Sequence, residues 1–189
     1  MKHIAAVTLM FTFGIVGLYA DPGPVHMTLS GSSARSNTSL GGKLAGEYQL
    51  AGTGTLGPFT FRVLSTSMSS PQTSNTCTGP TKVYFPVVAG GGAGVFRSQD
   101  GDLLKLNLTG GGDCIDFAAG NALCTRIFQV IGGTGRYTNA SGAVTLTMTV
   151  VPVLADGSPT NPVFFAVTGN VTGIISGVAT EQGSQDGQP

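Results

Sequence analysis

Residues able to do chemistry are sparse in this chain. Two histidines, three cysteines, nine acidic and nine basic side chains are spread over 189 residues. His3 belongs to a short basic start, Met1-Lys2-His3, that would leave with an export signal, so a Ser-His-Asp site would have to recruit His26, and no Gly-x-Ser-x-Gly elbow is present to serve it. Asp100 and Asp102 could meet a calcium ion, but the rest of a calcium loop is missing, and an Asp-Gly hairpin accounts for both. Cys77, Cys114 and Cys124 lack the spacing and the histidine partners of a zinc site, so neither a metal nor another cofactor is expected. Arg62 and Arg126 differ from these, because each interrupts a strand-like run where a charge must reach solvent or find a partner. Arg126 alternates onto the same face as Phe128 and Val130. Turned inward, it would be an interior cation suited to a carboxylate or an enolate-like intermediate. The simpler expectation puts it at a rim with its guanidinium in water.

The segments that must position these groups read as β-strands. Phe59-Thr60-Phe61-Arg62-Val63-Leu64 alternates, as do Leu103 to Thr109, with Leu104, Leu106 and Leu108 on one face, and Ala143 to Val150, with Val144, Leu146, Met148 and Val150 on one face. Asp100-Gly101 between two such runs predicts a hairpin. Pro86 predicts an edge or a bulge in the run Thr81–Val88, and Gly90-Gly91-Gly92 a flexible connector after it. Residues 21–45 are expected to form a loosely ordered lead-in with at most a short strand at Val25–Leu29, and Ser65–Pro80 a long loop. Val163–Ile175 closes the regular part. About eight strands without a convincing helix, separated by regular turn signals, predict an all-β sandwich or barrel.

The most distinctive stretch is Ile131 to Gly142, between two of these strands. Gly133-Thr134-Gly135 begins like a dinucleotide fingerprint, but Thr138 replaces the third glycine and a strand follows instead of a helix, so the segment is a structural turn. Its residues Gly132, Gly133, Thr134, Gly135, Arg136 and Tyr137, with Ala140 and Gly142, resemble the Gly-Gly-Thr-Gly-x-Phe-x-x-Ala-x-Gly segment of dirigent proteins, which are related in fold to allene oxide cyclases. Many secreted bacterial proteins of unknown function resemble them at the same segment. The resemblance implies a closed antiparallel barrel of eight strands. Plant dirigent proteins tend to carry an arginine between the aromatic residue and the final glycine, whereas Thr138 to Ser141 here holds no charge, so the fold carries over better than an activity.

Composition sets the compartment. Charged residues make up 10% of the chain, which has 30 glycines and no tryptophan; an exported all-β protein fits this, and the balanced charge gives no footprint for nucleic acid. Met1-Lys2-His3, the apolar run Ile4–Leu18 and Ala20 before Asp21 read as a cleaved export signal over residues 1–20, leaving no stable membrane insertion once it is removed. The barrel domain is expected over 46–178 and a polar tail over 179–189. In an oxidising compartment one disulfide is expected. The short loop between Cys114 and Cys124 favours that pair, with Cys77 free or paired between molecules, and Cys77–Cys114 is the alternative.

Two functions follow. The first is an exported barrel binding a small apolar ligand or a partner surface. Phe59, Phe61, Phe128 and Met148 would form an apolar wall, and Arg126 or Tyr137 the polar contact. The alternative, implied by the resemblance, is a dirigent- or cyclase-like protein that steers a reactive intermediate. Converging charged groups inside the barrel would separate the two.

Overall fold

The computed structural model describes residues 21–36, 39–153 and 164–179. The expected leader and all but the first residue of the expected tail lie outside them, as does a turn expected from Asp156-Gly157-Ser158-Pro159. Eight strands run in chain order: β1 (Gly23–Arg35), β2 (Lys43–Gly54), β3 (Phe59–Met68), β4 (Lys82–Ser98), β5 (Leu103–Asp116), β6 (Asn121–Gly133), β7 (Ser141–Pro152) and β8 (Phe164–Ser176). Each pairs antiparallel with the next, and β8 returns to pair with β1, so the sheet is a closed barrel without a free edge. Among the described residues no helix is long and apolar enough to cross a membrane.

Inward positions follow the period-two pattern. Val25, Met27 and Leu29 of β1, Phe61 and Val63 of β3, Phe128 and Val130 of β6, Val144, Leu146 and Met148 of β7, and Val167 and Val171 of β8 are all buried together. The expected lead-in is corrected, because β1 continues through Gly31, Ser33 and Arg35 along its full pairing with β8. There Gly31 is exposed, Ser33 buried and Arg35 half-buried, so the apolar alternation that marks Val25–Leu29 gives out although the strand continues. For the same reason β3 runs on through Ser65 and Ser67, both buried, into what was expected to be loop. β4 is one strand across the triple glycine, with its register shifting between Pro86 and Ala93.

The register of β5 decides which of its side chains face the interior. Leu104, Leu106 and Leu108 point in. The pairing with β6 slips between Leu108 and Gly110, and beyond this bulge Gly111 pairs with Arg126 and Asp113 with Cys124. The extra residue flips the parity, so Asp113 faces the lumen. Gly111 has φ +125°, and a Cβ there would lie 2.1 Å from the carbonyl oxygen of Thr125, so only glycine fits the bulge.

This parity also corrects the disulfide. Cys124, opposite Asp113, is buried in the interior as a free thiol, while Cys114 belongs to the next register pair and the other face of the sheet. There it bonds Cys77, from the connection between β3 and β4. Proximity in sequence favoured Cys114–Cys124, but strand alternation separates the two thiols across the barrel wall.

The bridge spans 37 residues of sequence. Its removal by Cys77→Ala is expected to destabilise the barrel by about 2–4 kcal/mol. Chemical denaturation measures this, and nonreducing peptide mapping must link Cys77 to Cys114 with Cys124 alkylated only after unfolding.

Candidate functional site

The two ends of the barrel differ in construction. At one end the connections are the short turn between β2 and β3, the Asp100-Gly101 hairpin, and the glycine segment, whose Gly135–Tyr137 forms a single turn of 3-10 helix. Thr134 clamps the first residue of β5 from both sides: its N–H donates to the Leu103 carbonyl at 2.8 Å, and its Oγ1 accepts from the Leu103 N–H at 2.9 Å. The Arg136 amide donates to Asp102 Oδ2 at 2.9 Å, and its guanidinium donates to the Leu56 carbonyl. Gly135 has φ +51°, and a Cβ there would collide with the Asp102 carboxylate at 1.9 Å. Gly132 and Gly142, also at positive φ, carry the chain into and out of this segment. Tyr137 and Ala140 drop into the core. The segment is thus a plug tying three connections together.

Above the plug lies a packed aromatic layer. The Phe61 and Phe96 rings stack at 3.7 Å between centroids, and Phe59 and Phe128 meet them edge-on. Phe61, Phe128 and Met148 have no exposed surface. Five of the six expected ligand contacts are therefore corrected: Phe59, Phe61, Phe128 and Tyr137 fill the closed end, Met148 is sealed in the wall, and none of them lines the cavity at the open end. Large aromatics at consecutive inward positions exclude the space they were expected to enclose.

The sixth, Arg126, is the exception. It is 1% exposed and reaches into the lumen, not out over a rim as the simpler expectation had it. Nη1 donates to Asp113 Oδ1 at 2.7 Å and to the Thr125 carbonyl at 2.9 Å, Nε to Ser65 Oγ at 3.2 Å, and Nη2 to the Tyr48 hydroxyl at 2.7 Å. Ser67 donates to Asp113 Oδ2 at 2.9 Å. Tyr48, Ser65, Ser67 and Asp113 are not among the expected site residues, and Cys124 was expected in a disulfide, not beside Asp113. The continued alternation after Val63 could have shown the serines, but Asp113 was hidden by the bulge.

This network floors a cavity of about 690 Å³ that opens between the ends of the strands, a volume typical of small-molecule sites. Ser33, Arg35, Leu44, Phe85, Ile115 and Phe165 are among its walls. A guanidinium has five N–H donors. Among the described residues, one Nη2 hydrogen of Arg126 has no acceptor, and Tyr48, whose oxygen accepts from Arg126, has none for its own proton. Two donors are left for whatever occupies the cavity.

The electrostatics keep these groups in fixed states. Burial pushes the Asp113 carboxyl up, but the charge and hydrogen bond of Arg126, with help from Cys124 and Ser67, outweigh it and hold the acid below its ordinary range. Burial works against the charge of Arg126, yet Tyr48, Asp113 and Cys124 around it outweigh that, so it stays protonated. Burial raises the Tyr48 phenol, and burial followed by the nearby Asp113 raises the Cys124 thiol. Among the described residues no group of three or more His, Cys, Asp or Glu is placed to hold a metal. No protein-family model, curated protein or solved structure matches this chain.

Breaking the buried pair from one side leaves an uncompensated charge. Arg126→Met is expected to cost about 3–5 kcal/mol at neutral pH. In the native protein the depressed Asp113 contributes stability above its unfolded value of about 3.9, lost as pH falls through the lower folded value. In the variant the unpaired carboxyl shifts the other way, so the penalty shrinks as pH falls from about 7 toward 4. Urea melts at several pH values test this; a pH-independent penalty under about 1 kcal/mol would show that the pair does not matter.

Proposed function

We propose that this is an exported barrel that binds one small, largely apolar molecule carrying an oxygen acceptor. The observation that carries it is the open-ended cavity of about 690 Å³ with apolar walls and two uncommitted donors, from Tyr48 and Arg126, at its floor. The ligand's oxygen would take both donors, and its body would displace water from Leu44, Phe85, Ile115 and Phe165. Export rests on the leader-like residues 1–20 and on the disulfide, a bond that persists in oxidising compartments.

Steering of a reactive intermediate, as in the dirigent and cyclase barrels that the glycine segment resembles, is the second function the site supports. Charged groups do converge inside, where Arg126 meets Asp113 and Tyr48 at the cavity floor. Binding ranks first because proton transfer works best with a pKa near the operating pH. Here Asp113 is displaced downward, and Tyr48 and Cys124 upward, away from neutrality.

The absence of tryptophan leaves a clear window for fluorescent ligands. N-phenyl-1-naphthylamine and the ketone probe prodan are expected to bind the folded barrel, and Ala122→Trp, on the cavity wall, to abolish both. Tyr48→Phe should weaken prodan about three- to tenfold and leave the amine unchanged, since only the ketone offers an oxygen to the phenol. Native mass spectrometry of protein from its own host should show a bound small molecule. Failure of either probe to bind, with no adduct, would end the ligand reading.

A further inference from the structure

Arg126 is the obvious cation for an anionic ligand, but its charge is already used. Asp113 sits on its Nη1 at 2.7 Å, and a second anion at the floor would face that carboxylate across a few ångströms of buried space. A neutral oxygen suits Tyr48 and Nη2; a negative one does not.

Arg35 is placed differently. It is the last residue of β1 and lines the same cavity. Ser33 stands opposite Tyr48 in the register, and Arg35, two residues on, stands opposite Gly46. Its Cα therefore lies roughly 7 Å above the floor, toward the mouth. Among the described residues it has no carboxylate partner; its guanidinium rests over the Phe85 ring, 5.9 Å from the centroid. The other acid on the cavity wall, Asp116, is engaged by Lys82 at 3.9 Å, by the Thr81 hydroxyl and by the amides of Ala118 and Ala119. The lining itself carries two arginines and two aspartates; with Asp113 offset by Arg126, and Asp116 by Lys82 from outside the lining, Arg35 is the lining cation left without a carboxylate partner among the described residues.

We propose that the ligand is an organic monoanion, a carboxylate or sulfonate on an apolar body, whose negative group is held by Arg35 near the mouth while a neutral oxygen or the apolar end reaches the Tyr48–Arg126 floor. One unpartnered guanidinium matches one negative charge, and a doubly charged phosphate would exceed it. Phe85 serves two purposes, as a platform that orients the guanidinium and as apolar wall for the ligand body. This inference rests on the cavity being a ligand site.

Two probes share one skeleton and differ in charge: 8-anilinonaphthalene-1-sulfonate and neutral N-phenyl-1-naphthylamine. The sulfonate is expected to bind about tenfold more tightly, with an advantage that falls as salt rises. Arg35→Gln should abolish that advantage and leave the amine's affinity unchanged. Arg97→Gln, which removes an exposed cation from the outer face of β4, should preserve it. Equal affinities in the native protein, an unchanged ratio in Arg35→Gln, or an equal loss in Arg97→Gln would overturn the anion assignment while leaving the cavity as a ligand site. Binding of neither probe would overturn both. The salt dependence of the native protein decides the matter even if Arg35→Gln does not fold.

Discussion

One buried ion pair organises the interior of this barrel. Arg126 enters from β6, meets Asp113 on the neighbouring β5, and continues across the lumen to Tyr48 of β2 and Ser65 of β3. A charge taken out of water costs several kcal/mol unless it is paired and hydrogen-bonded, and here nearly every polar atom of the pair is matched. The network acts as a strut between opposite walls. It also sets a boundary: below it lie buried, stacked aromatic and aliphatic side chains, and above it a cavity.

The boundary is prepared along each strand. Inward residues on β3 change from Phe59, Phe61 and Val63 to Ser65 and Ser67, and those on β1 from Val25, Met27 and Leu29 to Gly31, Ser33 and Arg35. The connections follow the same polarity. Tight turns and the glycine plug close the aromatic end, while the long connection between β3 and β4 lies at the open end, where the disulfide fastens it to the outside of β5. The glycine segment, most conspicuous in sequence, is therefore a closure device on the far side from the cavity.

Strand patterning made the architecture legible. Alternation located most of the strands, and Asp100-Gly101 located one hairpin, because both signals are local. The cavity was less legible because its residues are defined by parity. A single bulge between Leu108 and Gly110 turned Asp113 inward and put Cys114 and Cys124 on opposite faces, and no residue type announced it beyond a run of glycines. Arg126 was singled out by its place among apolar neighbours, but whether it faced rim or lumen depended on how far β3 and β1 extended, and their ends are polar. Serine-rich strand ends resemble loops when read by composition, although in a wet lumen they are what the interior requires.

The chain enters and leaves the barrel side by side. Gly23, at the start of β1, pairs with Ile175, near the end of β8, and both lie at the plugged end. The first and last strands of the barrel thus meet at its closed base, on the side away from the cavity mouth, so substitutions that loosen this seam would act on the plug before they act on the cavity.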